Sequence, residues 1–295
     1  MQKEIFMLDI LRDVLTDCLI DTLKTLPFLF LTYLLMEYLE HRTSEKTLGM
    51  IRRADKTGPL WGGILGIVPQ CGFSAAAAGL YAGRVITVGT LIAVFLSTSD
   101  EMLPIMLSSH VPVMTIVRIL AGKALIAAAA GFLIDFIFRK FNVRKIGGTI
   151  RDICEHEHCH CDEEGSIAVS ALRHTLQIAG FLFVVAFALN LLISLIGEEA
   201  LKSLILNRPV AGEVIAGLIG LIPNCGASVV ITTLYMEGAM SAGAMMAGLL
   251  VGAGVGLLVL YRTNRGIKEN LQLTGILYAC GVLGGILVAA LGIRF

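Results

Sequence analysis

Long apolar runs alternate with short polar stretches along almost the whole chain. Most of these runs are long enough to cross the hydrocarbon core of a bilayer as a helix, which takes about 20 residues. The second and sixth runs differ from the others because Pro69 and Pro223, each two residues before Cys-Gly, interrupt them near the middle. The runs lie at residues 25–40, 60–82, 86–107, 112–138, 171–196, 213–236, 240–260 and 271–293.

The two interrupted runs are predicted to be re-entrant hairpins rather than spanning helices. Each half has roughly 10 residues, or about 15 Å of helix, which reaches only the middle of a hydrocarbon core about 30 Å thick. With hairpins, the basic loops 41–58, 139–151 and 261–268 all fall on one side of the membrane, which the positive-inside rule assigns to the cytoplasm. If the interrupted runs crossed the membrane, the first two of these loops would face opposite sides.

Two sequence matches indicate an internal repeat. GIVPQCGFSAAAAGLY at 66–81 matches GLIPNCGASVVITTLY at 220–235 at seven of sixteen positions, and TLKTLPFLF at 22–30 matches TLQIAGFLF at 175–183. Because three spans and a hairpin precede the second copy, that copy begins from the opposite side of the membrane. The predicted fold class is an all-α integral membrane protein of two inverted repeats, each with three spanning helices and one re-entrant helical hairpin, ten helical segments in all.

Four parts are expected along the chain: an amphipathic N-terminal lead-in (1–24), a first transmembrane repeat (25–138), a cytoplasmic His/Cys-rich linker (139–170) and a second, inverted repeat (171–295). Composition indicates a multi-pass protein of the inner (plasma) membrane, since 56% of the residues are hydrophobic and only 16% are charged. The formal net charge of zero gives no reason to expect nucleic acid as a partner. The bilayer is the expected partner, and a homodimer is left open.

The hairpin tips carry the first group of candidate binding residues. A half-helix that ends at the midplane exposes carbonyl groups, and one that begins there exposes amide groups, so a tip offers sites for both signs of charge. Paired thiols, carboxamides and hydroxyls suit a soft or borderline metal ion, or an oxyanion of a thiophilic element. The alternative is that the small residues only allow close helix packing. The candidates are Gln70, Cys71, Ser74, Asn224, Cys225 and Ser228.

Acidic residues in the apolar runs form a second group, because a carboxylate in the bilayer normally faces a cavity or a partner. Glu37, Asp100 and Glu101 belong to the first repeat, where LSTSDEMLP (96–104) matches the uncharged LVGAGVGLL (250–258) of the second. Asn190 takes the place of Glu37 in the second repeat. This asymmetry favours one cation or proton site built mainly from the first half. In the alternative, Arg118 or Lys123 neutralises Asp100 or Glu101, and the acidic pair is structural.

The linker sequence CEHEHCHCDEE (154–164) forms a third group, in which thiol and imidazole ligands predict binding of zinc or another thiophilic divalent ion. The spacing matches no compact structural zinc module, so a flexible capture or sensing segment is expected; the alternative is a plain polar linker. The candidate metal ligands are Cys154, His156, His158, Cys159, His160 and Cys161.

The doubled Pro-Gln/Asn-Cys-Gly-x-Ser motif at 69–74 and 223–228, the STSDEMLP stretch at 97–104 and the His/Cys-rich central loop resemble the bacterial ten-helix heavy-metal exporters, a family labelled as arsenic efflux proteins or manganese transporters. The resemblance covers nearly the whole chain. It implies membrane export of a metal or metalloid ion without settling which ion. Counting each half-hairpin as a helix gives the ten helices of the family's name.

The expected function is therefore secondary active export of a heavy-metal or metalloid ion by alternating access at the hairpin tips. Proton coupling is expected, because the chain has no nucleotide-binding motif. The chain is not expected to be an enzyme or to require a cofactor, and the metal ion enters as substrate and as ligand of the cytoplasmic loop. Three alternatives remain: a transporter of a small anion or sulfur oxyanion, a thiol-dependent membrane enzyme, and a metal sensor.

Overall fold

The computed structural model describes residues 2–42, 57–68, 71–99, 101–140, 167–196, 210–264, 266–293 and 295, and all the regular secondary structure in these ranges is helical. The first half has α1 (Gln2–Arg42), α2 (Gly58–Leu65), α3 (Cys71–Ala82), α4 (Val88–Ser97), α5 (Met102–Ser108) and α6 (Val113–Lys140). The second half has α7 (Ile167–Ile196), α8 (Ala211–Gly220), α9 (Cys225–Met236), α10 (Ala242–Val251), α11 (Val255–Thr263) and α12 (Ile267–Ala290).

Five stretches of the described chain are long and apolar enough to cross a membrane, so the chain is a helical membrane protein. The outer ones, such as α6 and α12, turn large apolar side chains outward; Leu125 is 73% exposed and Ile267 is 75% exposed. Such faces suit contact with lipid. The five stretches are Val88–Ser108, Val113–Lys140, Ala171–Ala188, Ala242–Thr263 and Ile267–Ala290.

Two of these stretches are not continuous helices. The first is broken after α4, at Thr98 and Ser99, and the second at 252–254, between α10 and α11. The expectation of unbroken spans at 86–107 and 240–260 is wrong in this respect. At the first break, the hydroxyls of Ser97 and Thr98 donate to helix carbonyls and so compete with the backbone amides. The second break contains Gly254 at φ 54°, a conformation that favours glycine. The two breaks occupy matching positions, 154 residues apart.

The segment from α2 to α3 turns back on itself. Gly58, at the start of α2, lies against Thr90 near the start of α4, and Gly66 lies against Ser97 at the end of α4, so α2 and α4 run in parallel. Only residues 83–87 connect the end of α3 to the start of α4. Both ends of the α2–α3 segment therefore lie at one end of the helix bundle, which we call the proximal end; the opposite end is the distal end.

The α8–α9 segment turns back in the same way, but its two ends lie at the distal end. A Cβ atom placed on Gly243, in the first turn of α10, would lie 2.7 Å from Oε1 of Glu213 in α8, so these two helices start together. Residues 237–241 connect the end of α9 to the start of α10. At the start of α11, Gly256 packs against Ser74 and Phe95, and Glu269, a few residues beyond α11, reaches the proximal Tyr81. The two broken spans therefore run in opposite directions.

The long helices α1 and α7 pack against each other. The boundary expected at residue 24 falls inside α1, which continues through Pro27 to Arg42. Cys18, within the expected lead-in, is buried and accepts a hydrogen bond from Nδ2 of Asn190 at 3.0 Å. Residues 2–24 therefore belong to the same helix as the predicted first span, and Cys18 within them contacts α7.

Candidate functional site

A small cavity of about 20 Å³ lies where the two broken spans meet the second hairpin tip. Both breaks contribute to it, through Thr98 and Ser99 on one side and Gly252 and Gly254 on the other. A volume of this size holds one water molecule or one small ion. Its wall also includes Asn224 and Ser228 of the tip, together with Gly220, Ala227, Gly248 and Leu249.

Helix ends supply much of the polarity around this cavity. α4 and α10 end here and expose carbonyl groups, which carry partial negative charge, whereas α9 and α11 begin here and expose amide groups. The broken spans are also the most enclosed part of the bundle: 71% and 83% of their apolar windows are buried, against 28% for the window in Val113–Lys140. Charges placed at this depth are poorly screened by water.

Lys123 of α6 places a charged group at this junction. It is fully buried, and its ammonium group donates to the carbonyl oxygens of Thr98 and, at 2.9 Å, of Leu249. The sequence had offered Lys123 as a partner for Asp100 or Glu101; Asp100 lies outside the described residues, and its relation to Lys123 stays a prediction. Arg118, the other basic candidate, is exposed on α6.

Glu101 follows the first break and occupies the N-cap position of α5, where it is half-buried. The backbone at this position is helical, with φ −87° and ψ −13°, and the side chain makes no capping hydrogen bond. Glu37 belongs to α1, but its side chain is not among those described. Of the predicted acidic group, then, the structure places Glu101 beside the break and leaves the rest as predictions.

The second tip is joined to α7 by two carboxamides. Oδ1 of Asn224 accepts a hydrogen bond from the amide of Gly226 at 3.2 Å and caps α9, while Nδ2 donates to Oδ1 of Asn190. Asn190 in turn donates to Cys18. The structure thus brings together Asn190 and Asn224, which the sequence had proposed for separate reasons. It also adds Cys18, which has no partner visible in the sequence.

Fewer side-chain contacts are described at the first hairpin tip. Ser74 is fully buried and packs against Gly256 at the start of α11, which places α3 beside the second broken span. Gln70 lies outside the described residues. Cys71 and Cys225 are the first residues of α3 and α9, so both begin half-helices, but their side chains are not described. Whether the two thiols face each other stays a prediction.

Polar contacts tie the proximal end together. The hydroxyl of Tyr81, at the end of α3, donates to Oε1 of Glu269 in α12, and Arg84 lies 3.5 Å from the same oxygen. Arg84 also stands over the Tyr81 ring, 5.7 Å from its centroid. We call Tyr81, Arg84 and Glu269 the proximal latch. It joins the first hairpin to the second half of the chain.

The distal end carries a wide cavity of about 1410 Å³. Its wall includes Ser109 beyond α5, Thr115 of α6, and Ser241 and Gly243 at the start of α10. Tyr235, which the repeat aligns with Tyr81, also lines it and donates to the backbone carbonyl of Phe295 at 3.0 Å. Helix α9 runs from the small cavity to this wide one, since it contributes residues to both.

The candidate ligands of the linker, from Cys154 to Cys161, lie outside the described residues. Within the described ranges, no group of three or more His, Cys, Asp or Glu side chains is close enough to hold a metal ion. Metal binding by the linker therefore stays a prediction from sequence, and the cavity between the two breaks is the candidate site that the structure itself provides.

The fold and the site define a helical membrane protein in which two discontinuous spans cross at a small polar cavity. No protein-family model, no curated protein and no solved structure matches the chain. Its function must therefore be argued from its own residues.

Proposed function

We propose that the chain is a secondary transporter that exports a heavy-metal or metalloid ion by alternating access, with proton coupling. The observation that carries the proposal is the small cavity bounded by both helix breaks and by a hairpin tip. Discontinuous helices that meet near the midplane are the usual way in which transporters build an ion site in a bilayer, because irregular backbone is tolerated only where it is buried or lines a cavity.

An inverted repeat fits the packing of the helices. α4 packs on α6 as α10 packs on α12, and α2 packs on α4 as α8 packs on α10. The broken spans run in opposite directions. The open ends of the first hairpin lie at the proximal end, and those of the second lie at the distal end. These relationships support two repeats related by an axis in the membrane plane, with re-entrant hairpins that meet at the cavity.

Alternating access requires that one end be closed while the other is open. The proximal latch joins Tyr81 and Arg84 to Glu269, whereas the distal end holds the wide cavity. Five of the described basic residues lie at the proximal end, which supports a cytoplasmic position for that end and for the linker. These residues are Arg84, Arg139, Lys140, Arg262 and Lys268. The conformation then corresponds to a state closed toward the cytoplasm.

The choice of a thiophilic metal or metalloid as substrate rests on the sequence, through Cys71, Cys225 and the acidic pair Asp100 and Glu101. The test is a flux assay in proteoliposomes with a panel that includes Mn²⁺, Zn²⁺ and arsenite, with and without a pH gradient. We expect transport of one panel member that depends on the gradient and is lost in Cys71→Ser, Cys225→Ser and Asp100→Asn. Equal flux in these variants and the wild type would contradict this site.

A small anion is the second candidate substrate, and one observation favours it. The buried ammonium of Lys123 contacts two residues of the cavity wall, and α9 begins at the same wall with its amide groups. Both features lower the energy of a negative charge in the cavity. Adding sulfite and thiosulfate to the flux panel distinguishes an anion transporter from a metal exporter, because a metal exporter transports neither anion.

A further inference from the structure

The buried ammonium group of Lys123 contacts both halves of the chain, through Thr98 in the first and Leu249 in the second. Thr98 lies just past the end of α4, with φ −53° and ψ 130°, so its carbonyl group leaves the helical ladder of the first half. In α10 of the second half, the amide of Ala253 donates to Val251 at 2.8 Å instead of continuing the ladder to Leu249. Each break thus releases a carbonyl group from the helical ladder, and the Lys123 ammonium donates a hydrogen bond to both of these groups.

These two carbonyl groups have the chemistry of a cation site. Backbone carbonyls at the ends of unwound half-helices coordinate monovalent cations in transporters and channels, because they replace water oxygens and carry the negative end of the helix dipole. An ammonium ion uses the same oxygens through hydrogen bonds. Lys123 is fully buried, and a charge at this depth is costly unless such partners surround it.

The matching position in the second half shows that this charge is not a repeated feature of the scaffold. At the 154-residue offset of the two breaks, Lys123 corresponds to Leu277, which is also fully buried. One half therefore supplies an apolar side chain where the other supplies an ammonium group. Two such charges, one from each half, would repel each other near the same junction.

We infer that the carbonyl oxygens of Thr98 and Leu249 form a monovalent cation site, and that the Lys123 ammonium is its resident cation. The tethered charge holds the ends of the two broken spans together and takes the place that a free Na⁺ ion would occupy. The wild-type protein is then indifferent to the monovalent salt around it. This inference concerns cation binding and stability, and it holds or fails independently of the proposed transport function.

The test measures the Tm of the purified full-length protein in NaCl, KCl, n-propylammonium chloride and N-methylglucamine chloride at constant ionic strength. Lys123→Ala removes the side chain beyond Cβ, which n-propylammonium replaces, and Leu277→Ala is the matched control at the other half. We expect a lower Tm for Lys123→Ala, recovered by about 5 °C in n-propylammonium or Na⁺ and not in the bulky N-methylglucamine. The wild type should have the same Tm in all four salts, and so should Leu277→Ala.

Lys123→Met and Lys123→Arg complete the design and decide the outcome if Lys123→Ala does not fold. Methionine fills the space without a charge, so Lys123→Met should lose stability and show no recovery by any cation, while Lys123→Arg should lie closer to the wild type. A Tm of Lys123→Met equal to that of the wild type would overturn the inference. So would a folded Lys123→Ala that no cation stabilises, or a recovery of the same size in Leu277→Ala.

Discussion

The side-chain amide of Asn224 donates a hydrogen bond to Oδ1 of Asn190, and this bond joins the second hairpin tip to the long helix α7. The tip also lines the small cavity between the two helix breaks. A movement of α7 relative to the other helices of the second half therefore changes the position of the cavity wall through this pair of side chains. This coupling is open to a direct test.

Asn190→Ala is expected to destabilise the protein by about 1–3 kcal/mol, because it leaves the amide of Asn224 without its partner in a partly buried setting. Asn224→Ala should cost a similar amount, and the double variant should cost clearly less than the sum of the two. The measurement is the free energy of unfolding of each variant in detergent. Gln177→Ala, an exposed position on the same helix, is the control and should change little. Strict additivity would show that the two residues do not interact.

Gly256 tests the contact between the first hairpin and the second broken span. A Cβ atom at this position would lie 2.7 Å from Cβ of Ser74 and 2.9 Å from Cε1 of Phe95, both buried. Gly256→Ala should therefore destabilise the protein by about 1–3 kcal/mol through overpacking. Gly275→Ala in α12 is the matched control, since nothing lies within 4 Å of its added Cβ. That control should be neutral or stabilising, because alanine favours a helix over glycine.

Much of the architecture could be predicted because membrane helices are recognisable by their length and apolarity, and because the sequence contains two similar segments. The interruptions of the two hairpins could be predicted because a proline two residues before Cys-Gly is a strong local signal for a helix break. The breaks at 98–99 and 252–254 were missed, because their runs remain apolar overall. Ser97 and Thr98 in one run and Gly252 and Gly254 in the other were the available signals.

The site was harder to predict than the fold because its contacts join distant parts of the chain. Asn190 was proposed from its alignment with Glu37, yet its bond to Asn224 depends on how α7 packs, which no local pattern encodes. Lys123 was considered only as a partner for carboxylates. Its contact with the carbonyl of Leu249 exists because α10 unwinds, and a sequence that looks uniformly apolar there does not reveal it.

The linker gives a prediction that does not depend on the helix bundle. Replacing Cys154, Cys159 and Cys161 by serine should lower the Zn²⁺ bound to the purified protein by about one ion or more per chain, because thiolates are the strongest ligands of the tract. Elemental analysis after gel filtration measures this, with Cys280→Ser as the control. Transport flux in proteoliposomes should persist in the triple variant if the tract only captures metal. An unchanged zinc content would contradict metal binding by the linker.

The two repeated tyrosines lie at opposite ends of the bundle and offer a matched pair of variants. Tyr81→Phe removes the hydroxyl that donates to Glu269 and should loosen the proximal latch, while Tyr235→Phe removes the bond to the carbonyl of Phe295 at the distal end. Since a hydrogen bond to a charged group is worth about 1.5–3 kcal/mol, hydrogen exchange in 75–82 and 255–263 should rise by roughly tenfold or more in Tyr81→Phe. Tyr235→Phe should leave those segments unchanged and affect residues near 235 by a smaller factor, because its partner is uncharged. If both variants raise exchange in the same segments, or if neither raises it, the two contacts do not stabilise separate ends of the bundle.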